Sequence, residues 1–143
     1  MQTAIRSGGK AFPVQSMGVR VLLLSDAGGG QTADRLACFG SHVDVEQTLD
    51  LALSRLRRDP MGYDLFVMDC DGYGGISGGE LAVSSLIAAE AKMRVMLVSS
   101  DFEELALPFG RRTAVCLPTS VGEEDFRRGL NHVLRDRLPT AVN

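Results

Sequence analysis

Four consecutive apolar residues run straight into an aspartate within the stretch Tyr63-Asp64-Leu65-Phe66-Val67-Met68-Asp69-Cys70-Asp71. Pro60 and Gly62 precede it, and Gly72, Gly74 and Gly75 follow it. A short apolar run bounded by turn residues fits a strand buried on both faces. An acid at the carboxyl end of such a strand points into the crevice where open α/β sheets bind ligands. Two other apolar runs also end in polar side chains: residues 19–24 lead into Ser25-Asp26, and residues 95–98 into Ser99-Ser100-Asp101. Set across one crevice, the Asp26 and Asp69 carboxylates repel, and both stay ionised only with a cation between them. Mg²⁺ prefers oxygen ligands and keeps several waters, which suits such a pair. Ser99 is placed to donate a hydrogen bond to an anion held there. A carboxylate nucleophile, a divalent ion and a hydroxyl are the parts needed for phosphoryl transfer to an aspartate.

The elements that would position these residues follow from periodicity. The run 19–24 reads as a first strand, Gly28-Gly29-Gly30 as a turn, and residues 32–39 as a short helix. Val43 and Val45 alternate with His42, Asp44 and Glu46, the mark of an edge strand with one wet face. Leu49, Ala52, Leu53 and Leu56 recur at helical spacing, and Pro60 and Gly62 stop that helix. After the strand ending at Asp69, a glycine-rich loop over 72–79 leads to an expected helix over 80–92. A third apolar strand covers 95–98, a short helix is expected over 102–107, and a short fifth strand over 114–117. The last helix is expected over 123–137, with Phe126, Leu130, Val133 and Leu134 inward, acids in its first turn and Arg135 and Arg137 in its last. Five β-α units argue for a parallel sheet with helices on both faces. Strands one, three and four are apolar throughout and belong in the centre; strands two and five belong at the edges. The order is then 2-1-3-4-5, the flavodoxin-like doubly wound α/β fold, which brings Asp26 and Asp69 to one switch-point crevice.

Composition narrows the function. The 143 residues suffice for one domain, and 45% apolar content supplies its core. A net charge of −3 without blocks of like charge argues against nucleic acid. The sequence has no run long enough for a membrane span and no apolar signal-peptide region. Three cysteines without C-x-x-C spacing favour free thiols and a cytoplasmic setting. Two distant histidines, His42 and His132, offer no zinc site and no strong candidate for His-based catalysis. Residues 1–18 read as a mobile tail, 19–138 as the domain, and 139–143 as a second tail.

Over 19–138 the chain resembles the receiver domain of two-component response regulators. Residues 63–70 are similar to that family's third strand, which ends in the phosphoacceptor. The resemblance implies Asp69 as phosphoacceptor, Asp26 as metal-binding acid, Ser99 as the phosphoryl contact, and the Asp71 backbone carbonyl as a further metal ligand. This chain departs from the family pattern at several points. Ser25-Asp26 replaces two adjacent acids, and Thr119, followed by Ser120, stands in the place of a lysine. Cys116 stands where the family has an aromatic switch residue, and glycines replace the Pro and Asp-Gly after the acceptor. A weak Mg²⁺ site and impaired phosphorylation are therefore expected, because a positive charge is missing where a dianion must be stabilised. Arg111 or Arg112 would compensate only by folding over the crevice. The implied role is a stand-alone receiver-like protein in phosphorelay signalling, acting by contact with a histidine kinase or other signalling protein. The last helix and strand five are candidate faces of a homodimer.

Three other readings compete. Residues 69–80 resemble an EF-hand calcium loop, with acids at positions 1, 3 and 12 and Gly at 6, although Pro60 and Gly62 leave little room for an entering helix. Gly28-Gly29-Gly30-Gln31-Thr32-Ala33 fits a weak dinucleotide fingerprint, which a tight turn explains better. A flavin or nucleotide binder on the same fold is the enzyme-like alternative. Cys70 is expected to be an inert core thiol, and the Arg pairs at 57–58, 111–112 and 127–128 solvated faces.

Overall fold

Three strands with apolar middles occupy the centre of the sheet, and the two more polar or shorter ones flank them. In the computed structural model, which describes residues 18–108 and 114–135, the elements are β1 (Arg20–Leu24), α1 (Gly30–Cys38), β2 (His42–Glu46), α2 (Leu49–Arg58), β3 (Leu65–Asp69), a 3₁₀ turn (Cys70–Tyr73), α3 (Ile76–Ala88), β4 (Arg94–Ser99), β5 (Val115–Pro118) and α4 (Glu123–Val133). The sheet order is β2-β1-β3-β4-β5, and every neighbouring pair is parallel. This is the flavodoxin-like doubly wound arrangement expected from the pattern of apolar runs.

Successive strand residues point to opposite faces, so each central strand feeds two cores. Val21, Leu23, Leu65, Val67, Met96 and Val98 pack with Leu36 of α1 and Phe126 and Leu130 of α4. Leu22, Leu24, Phe66, Met68 and Leu97 pack with Ala52 and Leu56 of α2 and Ala82 and Leu86 of α3. Helices therefore cover both faces. On β2, Val43 and Val45 lean on the first core, while Asp44 and Glu46 face charged partners. Arg55 of α2 reaches Glu46 at 2.6 Å, and the Tyr63 hydroxyl donates to Asp44 at 2.6 Å. Thr48 caps α2, its hydroxyl accepting from the Leu51 N–H at 3.1 Å, a contact that contributes about 1 kcal/mol.

Three expected elements differ. The helix after the organising strand begins at Ile76, not at residue 80, and ends at Ala88, not at 92. Gly78 and Gly79 lie inside it although glycine costs about 1 kcal/mol at a helix interior position. At Gly79 the reason is a close approach: a Cβ would stand 2.9 Å from Cys70 Sγ and 3.1 Å from the Leu97 side chain. The helix can lie close over the 3₁₀ turn and β4 only without that atom. At the other end, Glu90 takes a positive φ of 59° as the chain turns toward β4.

Residues 102–107 form no helix. Ala106 pairs with Cys116 in an antiparallel bridge, N···O 2.9 and 3.1 Å, against the outer edge of β5. Leu105 and Leu107, two apart, both pack on the first core. That is strand spacing, and an open sheet edge supplies the partner that a short helix before Pro108 would lack.

The last helix stops at Val133, earlier than expected, and the Arg135 guanidinium donates to the His132 carbonyl at 2.6 Å. Arg137, the segment with Arg111 and Arg112, residues 1–17 of the first tail and the second tail, 139–143, lie outside the described residues. Among the described residues no helix is long and apolar enough to cross a membrane.

Candidate functional site

The parallel register brings the carboxyl ends of four strands level. Leu24 pairs with Met68, Asp69 with Val98, and Ser99 with Pro118. Ser25-Asp26, Asp69, Ser99 and Thr119 therefore all emerge at the same edge of the sheet.

On the β1 side, Ser25 is fully buried, and its hydroxyl accepts from the Ala27 N–H at 3.3 Å and the Gly29 N–H at 3.2 Å. The turn it closes needs glycine. Gly29 has φ of 99°, and a Cβ there would stand 2.7 Å from the Ala33 Cβ. The dinucleotide-like glycines are thus explained by a tight turn. Asp26 is thrown outward and exposed, and its carboxylate lies over Gly72, where any Cβ would collide with it.

Asp69 is half-buried, and Thr32 Oγ1 donates to its Oδ1 at 2.6 Å. Burial raises its pKa above the usual aspartate value; the Thr32 and Ser25 hydroxyls oppose the rise, and the charges of Asp71 and Asp26 add to it. Tyr73 lies near both acids of this half of the crevice. Its hydroxyl donates to the Gln47 carbonyl at 2.6 Å, and burial together with the charges of Asp26 and Asp69 pushes its pKa up to about 12.

On the β4–β5 side the carboxylate of Asp71 is the centre. Its Oδ1 accepts from Ser99 Oγ at 2.9 Å and from the Ser100 N–H at 2.9 Å. Its Oδ2 accepts from the same N–H at 3.1 Å and from Thr119 Oγ1 at 3.0 Å. Desolvation works to raise its pKa, but the Ser100, Ser99 and Thr119 hydrogen bonds outweigh it and hold the carboxyl below the usual value. Asp101 finishes the loop, its Oδ2 accepting from the Ile76 N–H at the start of α3 at 3.0 Å.

Asp26 and Asp69 thus meet, as the sheet order implies. Ser99 and Thr119 also meet, but around the Asp71 side chain. From sequence, Asp71 stands out for its backbone carbonyl and for its place in the EF-hand-like loop, not as a partner of Ser99 and Thr119. Thr32 and Tyr73 are neighbours of Asp69 that the sequence does not single out for the site, and Ser25, which stands where the resembled family has an acid, lends a hydroxyl instead. Cys70 is fully buried among the second core residues, and burial pushes its thiol up to about 12, so it is a protonated core residue.

The EF-hand likeness does not survive the geometry. A strand enters the 69–80 loop, Asp71 turns to Ser99 and Thr119, and Glu80 is an exposed residue inside α3. Among the described residues no group of three His, Cys, Asp or Glu side chains is placed to hold a metal ion. The Asp26 and Asp69 carboxylates still offer hard oxygen donors of the kind Mg²⁺ takes.

A five-stranded parallel sheet with an acidic crevice at its carboxyl edge defines the class: a flavodoxin-like domain. Solved structures narrow the fold further. The chain is similar to a response regulator receiver domain protein from Clostridium thermocellum, at 13% identity and TM-score 0.62 over 85% of this chain and 98% of that one. It is similar to a signal receiver domain from Vibrio parahaemolyticus, at 16% identity and TM-score 0.64 over 89% and 98%. It is also similar to a response regulator receiver protein from Burkholderia phymatum, at 21% identity and TM-score 0.59 over 82% and 95%. The chain has the receiver-domain fold. No protein-family model and no curated protein sequence matches it.

Proposed function

We propose that this chain is a receiver-like protein of two-component, phosphorelay signalling, with Asp69 in the phosphoacceptor position, impaired phosphorylation, and output through protein contact. It is a signalling domain of the cytoplasm rather than an enzyme, and a histidine kinase or other signalling protein is its partner. A homodimer through α4 and β5 is the alternative docking mode.

The observation that carries the reading is the placement of Asp69 at the end of the central strand beside Asp26, with Ser99 and Thr119 already engaged by Asp71. Among the described residues none of the three carboxylates forms an ion pair. Asp26, Asp69 and the Asp71 carbonyl would hold Mg²⁺, which supplies charge neutralisation for a moving phosphoryl group. With two carboxylates that site is weak. A charge-assisted contact to an oxyanion is worth roughly 1.5–3 kcal/mol and a neutral hydroxyl about half that. Thr119 in place of a lysine therefore leaves a deficit of about 1 kcal/mol, a several-fold loss of rate or occupancy.

Intact-mass spectrometry after incubation with acetyl phosphate and Mg²⁺ tests this. Little or no phosphate is expected on the wild type, and more on Thr119→Lys. Stoichiometric phosphate on the wild type that disappears in Asp69→Asn would overturn the impaired reading. The Ser25 hydroxyl closes the Gly28–Gly30 turn from within, which supports a tight turn over a dinucleotide motif, while a flavin or nucleotide binder on the same fold is the alternative that visible spectra of the purified protein would reveal.

A further inference from the structure

The groups that surround the Asp71 carboxylate come from two separate strand ends and are all donors. Ser99 Oγ and the Ser100 N–H follow β4, and Thr119 Oγ1 follows β5. Both carboxylate oxygens are used, each by two donors, at 2.9 to 3.1 Å. Converging hydroxyls and a backbone N–H, with no acid among them, form a cradle for an oxyanion. Ser99 is fully buried, so its hydroxyl is held by the fold rather than by solvent, and it also accepts from the Asp101 N–H at 3.0 Å. The backbone delivers Asp71 firmly. The 3₁₀ turn Cys70–Tyr73 is closed by the Gly75 N–H on the Cys70 carbonyl at 2.9 Å, and Cys70 anchors it in the core.

We propose that Asp71 is a built-in carboxylate ligand of this cradle, which ties the ends of β3, β4 and β5 into an anion-bound arrangement with no phosphate present and keeps external oxyanions out. The cradle stands on these hydrogen bonds alone. Its competition with a phosphoryl group on Asp69 rests on the functional reading above: such a group would find Ser99, Ser100 and Thr119 occupied, and could recruit them only by displacing Asp71. The receiver-like domain is then held in one state from within.

The test uses the full chain, no phosphoryl donor and no metal. Amide resonances of Ser99, Ser100 and Thr119 are followed while inorganic phosphate is titrated into wild type and Asp71→Ala. In the wild type the Ser100 amide is protected from exchange and the three resonances do not saturate. In Asp71→Ala the Ser100 protection is lost and all three shift saturably, with binding about tenfold or more tighter than wild type. Adding Ser99→Ala and Thr119→Val to that variant abolishes the binding. Equal binding by wild type and Asp71→Ala, or none by Asp71→Ala, overturns the proposal. So does an unprotected Ser100 amide in the wild type. Should Asp71→Ala not fold, Asp71→Asn, which keeps the shape and loses the charge, is read in the same way. Because no phosphoryl donor is used, failure here leaves the Asp69 reading standing, and stoichiometric phosphorylation of Asp69, which overturns the impaired reading, leaves the cradle standing.

Discussion

Asp69 and Asp71 are two residues apart and end in opposite surroundings. Asp69 is half-buried on the β1 side, beside another acid, with the Thr32 and Ser25 hydroxyls as its donors among the described residues. Its ionised form is disfavoured. Asp71 is exposed on the β4–β5 side and is gripped by two hydroxyls and a backbone N–H, so its ionised form is favoured. The lesson is that distance along the chain says little about charge state. What decides it is whether donors or acids converge on the carboxylate, and how much water is excluded.

The two halves should also break separately. Gly29→Val is expected to have the largest effect, a loss of roughly 2–3 kcal/mol from a side chain forced into positive φ and against Ala33. Urea unfolding measures it. The Ser99, Ser100 and Thr119 resonances should stay in place, because the turn that fails lies on the Asp69 side; a collapse of both halves would show them to be one unit.

Next in size is a difference of sign. Asp71→Ala removes four hydrogen-bond contacts from a solvent-exposed carboxylate, and after allowance for screening should lower stability by about 1–2 kcal/mol. Asp69→Asn removes a charge that burial disfavours and should leave stability unchanged or raise it at neutral pH. Losses of similar size from both would erase the contrast.

The pH dependence carries the same sign change. The folded pKa of Asp71 is depressed, so its stabilisation is present above the unfolded aspartate value and is lost as pH falls through the folded pKa. The folded pKa of Asp69 is raised, so its carboxyl favours the folded state at low pH and loses that contribution as pH rises through the folded value. Carboxyl-carbon chemical shifts followed by NMR should show Asp71 titrating below the ordinary aspartate range and Asp69 above it. The reverse order would contradict the hydrogen-bond assignment. The smallest effect expected is for Tyr73→Phe, which removes one hydroxyl contact to the Gln47 carbonyl and should cost about 0.5–1 kcal/mol in thermal or urea unfolding.

The sheet was legible in the sequence because burial on both faces is written locally. Val21 to Leu24, Leu65 to Met68 and Met96 to Val98 have no polar residue, which only a central strand tolerates, and His42 to Glu46 alternates as an edge does. Order and crevice follow from that, and so does the meeting of Asp26 with Asp69. The start of α3 was not legible. Gly78 and Gly79 read as loop by propensity, and only the close approach of the Tyr73 backbone at Gly78 and of Cys70 and Leu97 at Gly79 makes glycine suitable inside that helix. Residues 102–107 were not legible either, because a short apolar segment fits either period, and the open edge of β5, formed by distant chain, selects the extended one. The direction of Asp71 was the least legible of all. Its own neighbours allow the side chain to turn toward metal, solvent or protein. Donors from Ser99, Ser100 and Thr119, 28 to 48 residues away, choose among these only once β4 and β5 lie beside β3.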